Sequence, residues 1–324
     1  MEKVLVTGGA GYIGSVLVKL LLRDNYKVKV MDKLMFGGES IVELLNNDNF
    51  EFFKGDVLVQ EDLEKAVIGV DYVVHLASIV GDPACAKEPE LARKTNLEST
   101  KALYDIANKE GVKRFIFAST CSNYGKMEDP ESFITETSDL RPISVYAETK
   151  VAAEEFLLSQ PKENTTIPIC LRFATVYGLS PRIRFDLTVN EFTKELALER
   201  ELVIFGEQFW RPYCHVEDLS RSVIFSLKSD KEKVAFEVFN VGDTDENYQK
   251  QMLVEEIKKQ LPDAKIKYVH KDEDPRDYRV NFDKITNELG FKITKTVPQG
   301  ITHIIKVIKE GFINDPDDIK YRNS

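Results

Sequence analysis

A glycine-rich turn joins the first apolar run of the chain to its first helical pattern. Lys3–Thr7 is predicted to be a strand, and Gly8, Gly11 and Gly14 follow it in the sequence GGAGYIG, ahead of a helical pattern that ends at Arg23. In such a turn the first glycine permits a sharp bend, the second lets backbone approach a pyrophosphate, and the third lets helix and strand pack closely. The turn therefore predicts a strand–turn–helix unit whose helix N-terminus binds a dinucleotide.

The first half of the chain alternates near-continuous apolar runs with helical patterns. Further predicted strands are Lys27–Asp32, Phe50–Asp56, Asp71–Ala77, Arg114–Thr120 and Ile167–Phe173. The predicted helices are Ile13–Arg23, Ile41–Asn47, Leu63–Val67, Glu90–Glu110 and Val145–Ser159. Apolar strands alternating with helices indicate right-handed crossovers and an α/β Rossmann fold, a doubly wound parallel sheet.

The pattern loosens after Gly178, where shorter elements follow. We expect an NAD-binding Rossmann domain over residues 1–178, with returning segments near 207–242. A smaller, discontinuous α/β lobe over residues 179–324 is expected to bind substrate. Its predicted elements, in chain order, are Leu187–Glu199, Leu202–Phe205, Tyr213–Val216, Glu217–Leu227, Phe236–Val241, Gln249–Gln260, Lys265–Val269 and Ile301–Glu310.

Composition restricts the partners and the compartment. A formal net charge of −10 argues against nucleic acid, and it requires any anionic ligand to meet a local basic cluster. No apolar run approaches the roughly 20 residues of a membrane span, and no signal-peptide pattern precedes the first strand, so a cytoplasmic enzyme is expected. The four cysteines are widely spaced, which favours reduced structural thiols over a metal site.

Acidic residues close the second and third predicted strands. Asp32 lies about 20 residues beyond the glycine turn, where a carboxylate accepts the adenosine ribose hydroxyls and repels a 2′-phosphate, favouring NAD over NADP. Lys33 follows directly and softens that repulsion. Asp56 is placed to accept a hydrogen bond from the adenine amino group, although a turn or capping aspartate is the alternative.

Tyr146 and Lys150 are four residues apart and share one face of a predicted helix. An adjacent ammonium favours the phenolate, so we expect Lys150 to lower the pKa of Tyr146 and to hold the nicotinamide ribose. Tyr146 would then take a proton from a sugar hydroxyl while hydride leaves the same carbon. Thr120, at the end of the fifth strand, is predicted to hydrogen-bond the reacting oxygen.

Together these motifs resemble the extended short-chain dehydrogenases, specifically the NAD-dependent epimerase/dehydratase family that acts on nucleotide-sugars. The resemblance implies a nucleotide-sugar lobe, a retained cofactor and a homodimer paired through Glu90–Glu110 and Val145–Ser159. It is carried by GGAGYIG, Asp32, Asp56, His75–Ser78, Asn96, Thr120, Tyr146, Lys150 and Arg211–Val216. By that likeness the cofactor is also lined by Tyr12, Ile13, Val57, Leu76, Ala77, Ser78, Asn96 and, near the nicotinamide, Phe173.

Departures from the family pattern bear on the reaction. Dehydratases of the family carry an Asp-Glu pair after the catalytic threonine, whereas Cys121 and Ser122 stand here at the predicted substrate site, so 4,6-dehydration is disfavoured. Thr175 replaces an asparagine that contacts substrate phosphate in many members. The segments 178–186 and 274–280 are similar to a subgroup that includes a GDP-heptose 4-dehydrogenase.

A substrate diphosphate needs arginines, whose forked donors match phosphate oxygens. Arg211 is the leading candidate, followed by Arg276, Arg182 and Arg184; surface ion pairs are the alternative for each. Asn190 is a further candidate for the nucleotide by resemblance. His75 and His215 are predicted to be buried and hydrogen-bonded rather than ligands.

The leading hypothesis is an NAD-dependent epimerase that abstracts hydride at sugar C4. A 4-dehydrogenase or a 4-ketoreductase would use the same residues and stays open. A dinucleotide-sensing protein without activity is the non-enzyme alternative, and it typically lacks the Tyr or Lys that this chain keeps.

Overall fold

A computed structural model describes residues 1–127, 129, 132–270 and 276–323. Its strands are β1 (Lys3–Thr7), β2 (Lys27–Asp32), β3 (Phe50–Lys54), β4 (Tyr72–His75), β5 (Arg114–Thr120), β6 (Ile167–Phe173), β7 (Thr175–Tyr177), β8 (Leu202–Phe205), β9 (Trp210–His215), β10 (Glu237–Val241), β11 (Asn247–Gln249) and β12 (Ile266–Val269). Its α-helices are α1 (Tyr12–Arg23), α2 (Gln60–Val67), α3 (Asp82–Lys87), α4 (Pro89–Arg93), α5 (Ser99–Lys109), α6 (Val145–Leu158), α7 (Thr188–Ala197), α8 (Val216–Lys228), α9 (Lys231–Val234), α10 (Lys250–Gln260), α11 (Asp283–Leu289) and α12 (Val297–Lys309).

Seven parallel strands form the main sheet in the order β3-β2-β1-β4-β5-β6-β10. β1 pairs with β2 on one side and with β4 on the other, so that Thr7 lies opposite both Met31 and His75. The strand order reverses at this point, and in open α/β sheets ligands bind beyond the carboxyl ends of the strands at such a switch. The predicted doubly wound sheet is confirmed, and its topology places the glycine turn at the centre.

Helices cover both faces of the main sheet. On one face α1 packs against α8, and Leu17, Leu21 and Val223 share one buried core. On the other face α2, α5 and α6 pack side by side, with Leu103 and Leu157 in a second buried core. Because both faces are covered, the strands are apolar along nearly their whole length, as in other parallel sheets.

The second lobe is built around small sheets. β9 lies between β7 and β11 in a three-stranded sheet, and β8 pairs with β12. α7, α10 and α12 enclose a third core that includes Val189, Leu253 and Ile304. Between β9 and β11 the chain returns to the first lobe, where α8 packs on α1 and β10 extends the main sheet beside β6.

Two predicted helices differ in the structure. Ile41–Asn47 forms a short 3₁₀ turn over Val42–Asn46, and the long helix predicted over Glu90–Glu110 consists of α4, a π-helical segment over Lys94–Glu98 and α5. π-helical segments within helices occur frequently at functional sites. In the described part of the chain, no helix combines the length and the apolar character that crossing a bilayer requires.

Candidate active site

A cavity of about 670 Å³ lies beyond the carboxyl ends of the central strands and extends to the second lobe. Most of the predicted site residues line it, although they come from distant parts of the sequence. They are Gly8, Gly11, Tyr12, Ile13, Gly14, Asp32, Lys33, Asp56, Val57, Leu76, Ala77, Ser78, Thr120, Ser122, Tyr146, Lys150, Phe173, Thr175, Arg182, Arg184, Arg211 and Arg276.

The glycine turn presents bare backbone to this cavity. Gly8 has φ +75°, and a Cβ there would lie 2.8 Å from the backbone nitrogen of Ala77. A Cβ on Gly14 would overlap the Gly8 carbonyl, so α1 approaches the turn more closely than any side chain allows. A Cβ on Gly11 would meet only the Gly8 oxygen, at 3.2 Å. The turn therefore fits a pyrophosphate held against backbone at the N-terminus of α1.

Asp32 ends β2 at the cavity wall. Its carboxylate accepts hydrogen bonds from the N–H groups of Ala10, at 2.9 Å, and Leu34, at 2.8 Å. Burial nevertheless raises the pKa of Asp32 above its usual value, and the two N–H groups oppose that shift. Beside it, Lys33 and Asp56 form an ion pair with an N–O distance of 2.6 Å. The Lys33 ammonium is thus held by Asp56, which reduces its ability to offset the charge of Asp32.

The predicted Thr-Tyr-Lys group converges at the end of β5. The Ser144 hydroxyl caps α6 by accepting from the Ala147 N–H at 3.2 Å. The Tyr146 phenol is hydrogen-bonded to Thr120. The ammonium of Lys150 lies one turn further along the same helix face.

The pKa values of the pair depend mainly on burial. Burial raises the pKa of the Tyr146 phenol, and the charges of Cys85 and Asp82 act in the same direction, while Arg184 and the Thr120 hydrogen bond oppose the shift. Burial lowers the pKa of Lys150 to about 8. The phenol pKa is therefore raised rather than lowered in the protein alone, because the loss of hydration outweighs the opposing influences of Arg184 and Thr120, and Lys150 is not among the groups that shift it.

A buried ion pair beneath the site anchors α6 to the sheet. Arg172 of β6 donates to both carboxylate oxygens of Glu154, from Nη2 to Oε2 at 2.7 Å and from Nε to Oε1 at 3.1 Å. Glu154 also accepts from Ser119 and from Asn123. Since Glu154 follows Lys150 by one helical turn, this network fixes the helix face that carries Tyr146 and Lys150. The sequence analysis did not identify it.

Four arginines line the substrate side of the cavity. Arg184 forms a two-pronged ion pair with Asp186, with donor–acceptor distances of 2.9 and 2.7 Å. Arg182 stacks over Phe36, 4.1 Å from the ring centre, and its buried Nε has no hydrogen-bond partner within the described part of the chain. Burial, together with the charge of Arg184, lowers the pKa of Arg182 to about 10.

The other two arginines approach from the second lobe. The Arg211 guanidinium lies 5.3 Å from the centre of the Tyr278 ring. Arg276 pairs with Asp82 at 2.7 Å, joining the segment after residue 275 to the loop after β4. Asp274 and Pro275, which belong to the predicted 274–280 segment, lie outside the described residues.

Three predicted site residues do not line the cavity. Asn190 is fully buried and hydrogen-bonds the Gly178 backbone and the Arg184 carbonyl, so it shapes the arginine loop rather than facing a ligand. The Cys121 thiol is buried and donates to the Arg172 carbonyl. Asn96 lies in the π-helical segment and accepts from the Ser78 hydroxyl and the Ile79 N–H, so it positions the cavity wall.

The predicted histidines are buried and hydrogen-bonded, as expected. His75 contacts Thr7 and Thr100, and His215 accepts from the Glu217 N–H at the start of α8. The sequence analysis missed other cavity residues that the fold supplies. Tyr278 is hydrogen-bonded to Ser122 and Tyr213 to Thr188, and Asp82 lines the cavity, where its charge raises the pKa of the Tyr146 phenol. Their motifs were visible in the sequence, but the direction of their side chains was not.

Comparison with known proteins agrees with this geometry. The profile of the NAD dependent epimerase/dehydratase family matches residues 4–242. The chain is 33% identical over 253 residues to an uncharacterized UDP-glucose epimerase of Bacillus subtilis, covering 74% of this chain and 76% of that protein. It superposes on the UDP-glucose 4-epimerase of Thermotoga maritima, solved with UDP-glucose, with a TM-score of 0.84 and 28% identity over 96% of this chain and 100% of that one.

The UDP-glucuronic acid 4-epimerase of Bacillus cereus, solved with UDP-glucuronic acid and NAD, also superposes with a TM-score of 0.84. Its identity to this chain is 26%, over 95% of this chain and 99% of that one. The chain belongs to the NAD-dependent epimerase/dehydratase family and is an NAD-dependent enzyme.

Proposed function

We propose that this enzyme is a nucleotide-sugar 4-epimerase, which oxidises the sugar at C4 and reduces it again from the opposite face. The observation that carries the proposal is the position of the Thr120–Tyr146–Lys150 group. It lies in one cavity, between the glycine turn and the arginines of the second lobe. That arrangement gives a single carbon access to a proton acceptor and to a hydride acceptor while a diphosphate is held nearby.

The cavity residues fit a bound NAD. The glycine turn would hold the pyrophosphate and Asp32 the adenosine ribose, with Asp56 near the adenine and Lys150 at the nicotinamide ribose. Apolar and small side chains would complete the wall, namely Tyr12, Ile13, Val57, Leu76, Ala77, Ser78 and Phe173. When bound, NAD supplies reversible acceptance of hydride.

The protein side chains move the proton. Thr120 aligns the C4 hydroxyl through a hydrogen bond, and Tyr146 takes its proton as the C4 hydrogen leaves as hydride. Lys150 has a pKa of about 8, so it remains mostly protonated at neutral pH and favours the phenolate electrostatically. The same tyrosine returns the proton when the ketone is reduced.

The substrate diphosphate is assigned to a local basic cluster. Arg211, Arg182 and Arg184 line one side of the cavity, and the unmet Nε–H of Arg182 gives an anion a buried donor. Such a cluster offsets the net charge of −10, which would otherwise repel a diphosphate. Thr175 and Ser122 lie in the same wall and are proposed to contact the sugar or its phosphate.

Dehydration is disfavoured because the residues after Thr120 carry no carboxylate. Cys121 points away from the cavity, and Ser122 is hydrogen-bonded to Tyr278. A 4-dehydrogenase or 4-ketoreductase would use the same proton acceptor, and it differs only in whether the sugar is released as a ketone. The identity of the product therefore distinguishes these reactions from epimerisation.

A homodimer paired through α5 and α6 is also proposed. The two helices pack together on one face of the sheet, and Ala102, Ile106 and Phe156 remain partly exposed there. Light scattering combined with size-exclusion chromatography would measure the mass directly. A monomeric mass at micromolar concentration would contradict this part of the proposal.

Product analysis tests the function. The enzyme would be incubated with UDP-, GDP-, CDP- and dTDP-linked sugars, and the products read by proton NMR. The proposal expects inversion at C4 of one of them, with no such product from Tyr146→Phe. Release of a stable 4-ketone or a 6-deoxy sugar, or the absence of conversion throughout, would contradict the epimerase assignment.

A further inference from the structure

The loop after β4 leads to a carboxylate on the wall of the cavity. Residues 79–83 line the cavity wall, and Gly81 adopts φ +94°, a left-handed conformation that other residues rarely adopt. Asp82 follows as the first residue of α3, and Pro83 then fixes the backbone of the first turn. This geometry holds Asp82 on the cavity wall that also contains Thr120 and Tyr146.

Asp82 is paired across the cavity with the second lobe. Its Oδ2 lies 2.7 Å from Nη1 of Arg276, and the two side chains remain 29% and 43% exposed. The carboxylate therefore remains accessible rather than buried. An ionised carboxylate has about four acceptor positions, and the hydrogen bond from Arg276 uses one of them.

The charge of Asp82 acts on the Tyr146 phenol. It raises the pKa of the Tyr146 phenol, together with burial and Cys85, while Arg184 acts on the phenol in the opposite direction. Arg184, however, donates two hydrogen bonds to the carboxylate of Asp186. A sugar placed with C4 at the phenol therefore finds two ion pairs on the cavity wall: Asp82, which keeps open acceptor positions beside Arg276, and Arg184, which donates to Asp186.

We propose that Asp82 selects neutral sugars over uronic acids. Its carboxylate accepts a hydrogen bond from the C6 hydroxyl of a neutral hexose, and it repels the carboxylate that a uronic acid carries at C6. The inference rests on the proposed nucleotide-sugar function and narrows its substrate class. Both kinds of sugar are found with similar proteins, since one has been solved with UDP-glucose and another with UDP-glucuronic acid.

Calorimetric binding to the NAD-loaded enzyme tests this selection. The probes are two matched pairs, UDP-glucose with UDP-glucuronic acid and GDP-mannose with GDP-mannuronic acid. For a pair that binds, the wild type is expected to prefer the neutral sugar at least tenfold. Asp82→Asn should reduce that ratio at least fivefold, mainly through tighter binding of the uronic acid. Asp230→Asn removes the same charge at an exposed position, so this control should leave the ratio unaltered.

Arg276→Met provides a second variant at the other side of the ion pair. Removing the guanidinium leaves the Asp82 charge uncompensated, so the preference for the neutral sugar should increase. A wild type that binds both members of a pair equally would overturn the proposal, as would an unchanged ratio in both variants. If none of the four probes binds, the nucleotide-sugar function itself fails and the selection fails with it. If both members of a pair bind equally well, the nucleotide-sugar function stands and only the selection by Asp82 is contradicted.

Discussion

The ammonium nitrogen of Lys150 lies 5.9 Å from the centre of the Tyr146 ring and donates to the Ala118 carbonyl at 2.8 Å. It also lies 4.6 Å from the centre of the Phe117 ring, against the aromatic face. The carbonyl and the ring face both favour a positive charge, whereas burial disfavours it. Lys150 is therefore held near the phenol at a cost in hydration, which is consistent with a functional rather than a stabilising role.

Tyr146→Phe removes the proton acceptor and leaves the cavity wall in place. Turnover should fall by roughly 10²–10⁴, the usual contribution of a general base, while NAD stays bound. Steady-state kinetics and the bound-NAD content measure the two effects. Tyr268→Phe changes an exposed tyrosine in β12 and should have no effect. Turnover near wild type in Tyr146→Phe would remove this phenol from the mechanism.

Lys150→Met tests how much the burial of the Lys150 ammonium lowers the free energy of unfolding. The pKa of Lys150 is about 8 in the folded protein and has its ordinary value of 10.5 in the unfolded chain. Between these pH values the unfolded chain binds more protons than the folded protein, so the free energy of unfolding increases as the pH rises. Relative to Lys150→Met, the wild type should gain stability from pH 8 to 10.5, by about 3 kcal/mol at most. Urea unfolding across that range measures the difference, and a pH-independent difference would contradict the shifted pKa.

Asp32→Ala should weaken NAD binding and relax the rejection of NADP. Hydrogen bonds to a charged group contribute about 1.5–3 kcal/mol, so the Kd for NAD should rise roughly 10- to 150-fold. Fluorescence titration with both cofactors gives the preference. Asp263→Ala is the matched control, because Asp263 is exposed and far from the cavity lining. An unaltered NAD/NADP ratio in Asp32→Ala would refute the ribose assignment.

Arg172→Met leaves the Glu154 carboxylate buried without its partner. Removing one member of a buried ion pair typically costs about 3–5 kcal/mol, so the free energy of unfolding should fall by that amount. The double variant Arg172→Met with Glu154→Leu should be less destabilised than Arg172→Met alone, because no unpaired charge remains. Urea unfolding measures both, and a double variant that is the less stable of the two would argue against the charge explanation.

The parallel sheet was predictable because the strands that helices cover on both faces are apolar along most of their length. Lys3–Thr7, Lys27–Asp32, Arg114–Thr120 and Ile167–Phe173 have the predicted bounds. The π-helical interruption around Asn96 was not predictable, because a helical pattern that continues through it conceals the extra residue in the turn.

The residues of the candidate site were likewise predictable only in part. Residues within local motifs, such as Tyr146 and Lys150, were found because their spacing fixes their relative positions. Asn190 and Cys121 were misassigned, since their side-chain directions depend on the packing of loops distant in sequence. Asp82 was overlooked because a Gly-Asp-Pro turn carries no periodic signal, and its importance arises only when Arg276 and the phenol come together around it.

The fate of the C4 hydrogen tests the central claim most directly. A nucleotide-sugar that the enzyme converts would be prepared with deuterium at C4, and the product analysed by NMR and mass spectrometry. The account predicts that deuterium remains at C4 of the inverted sugar and that the deuterated substrate reacts more slowly than the unlabelled one. Tyr146→Phe should lower the rate of this conversion by roughly 10²–10⁴. Loss of the deuterium to solvent, or inversion at full rate in Tyr146→Phe, would contradict it.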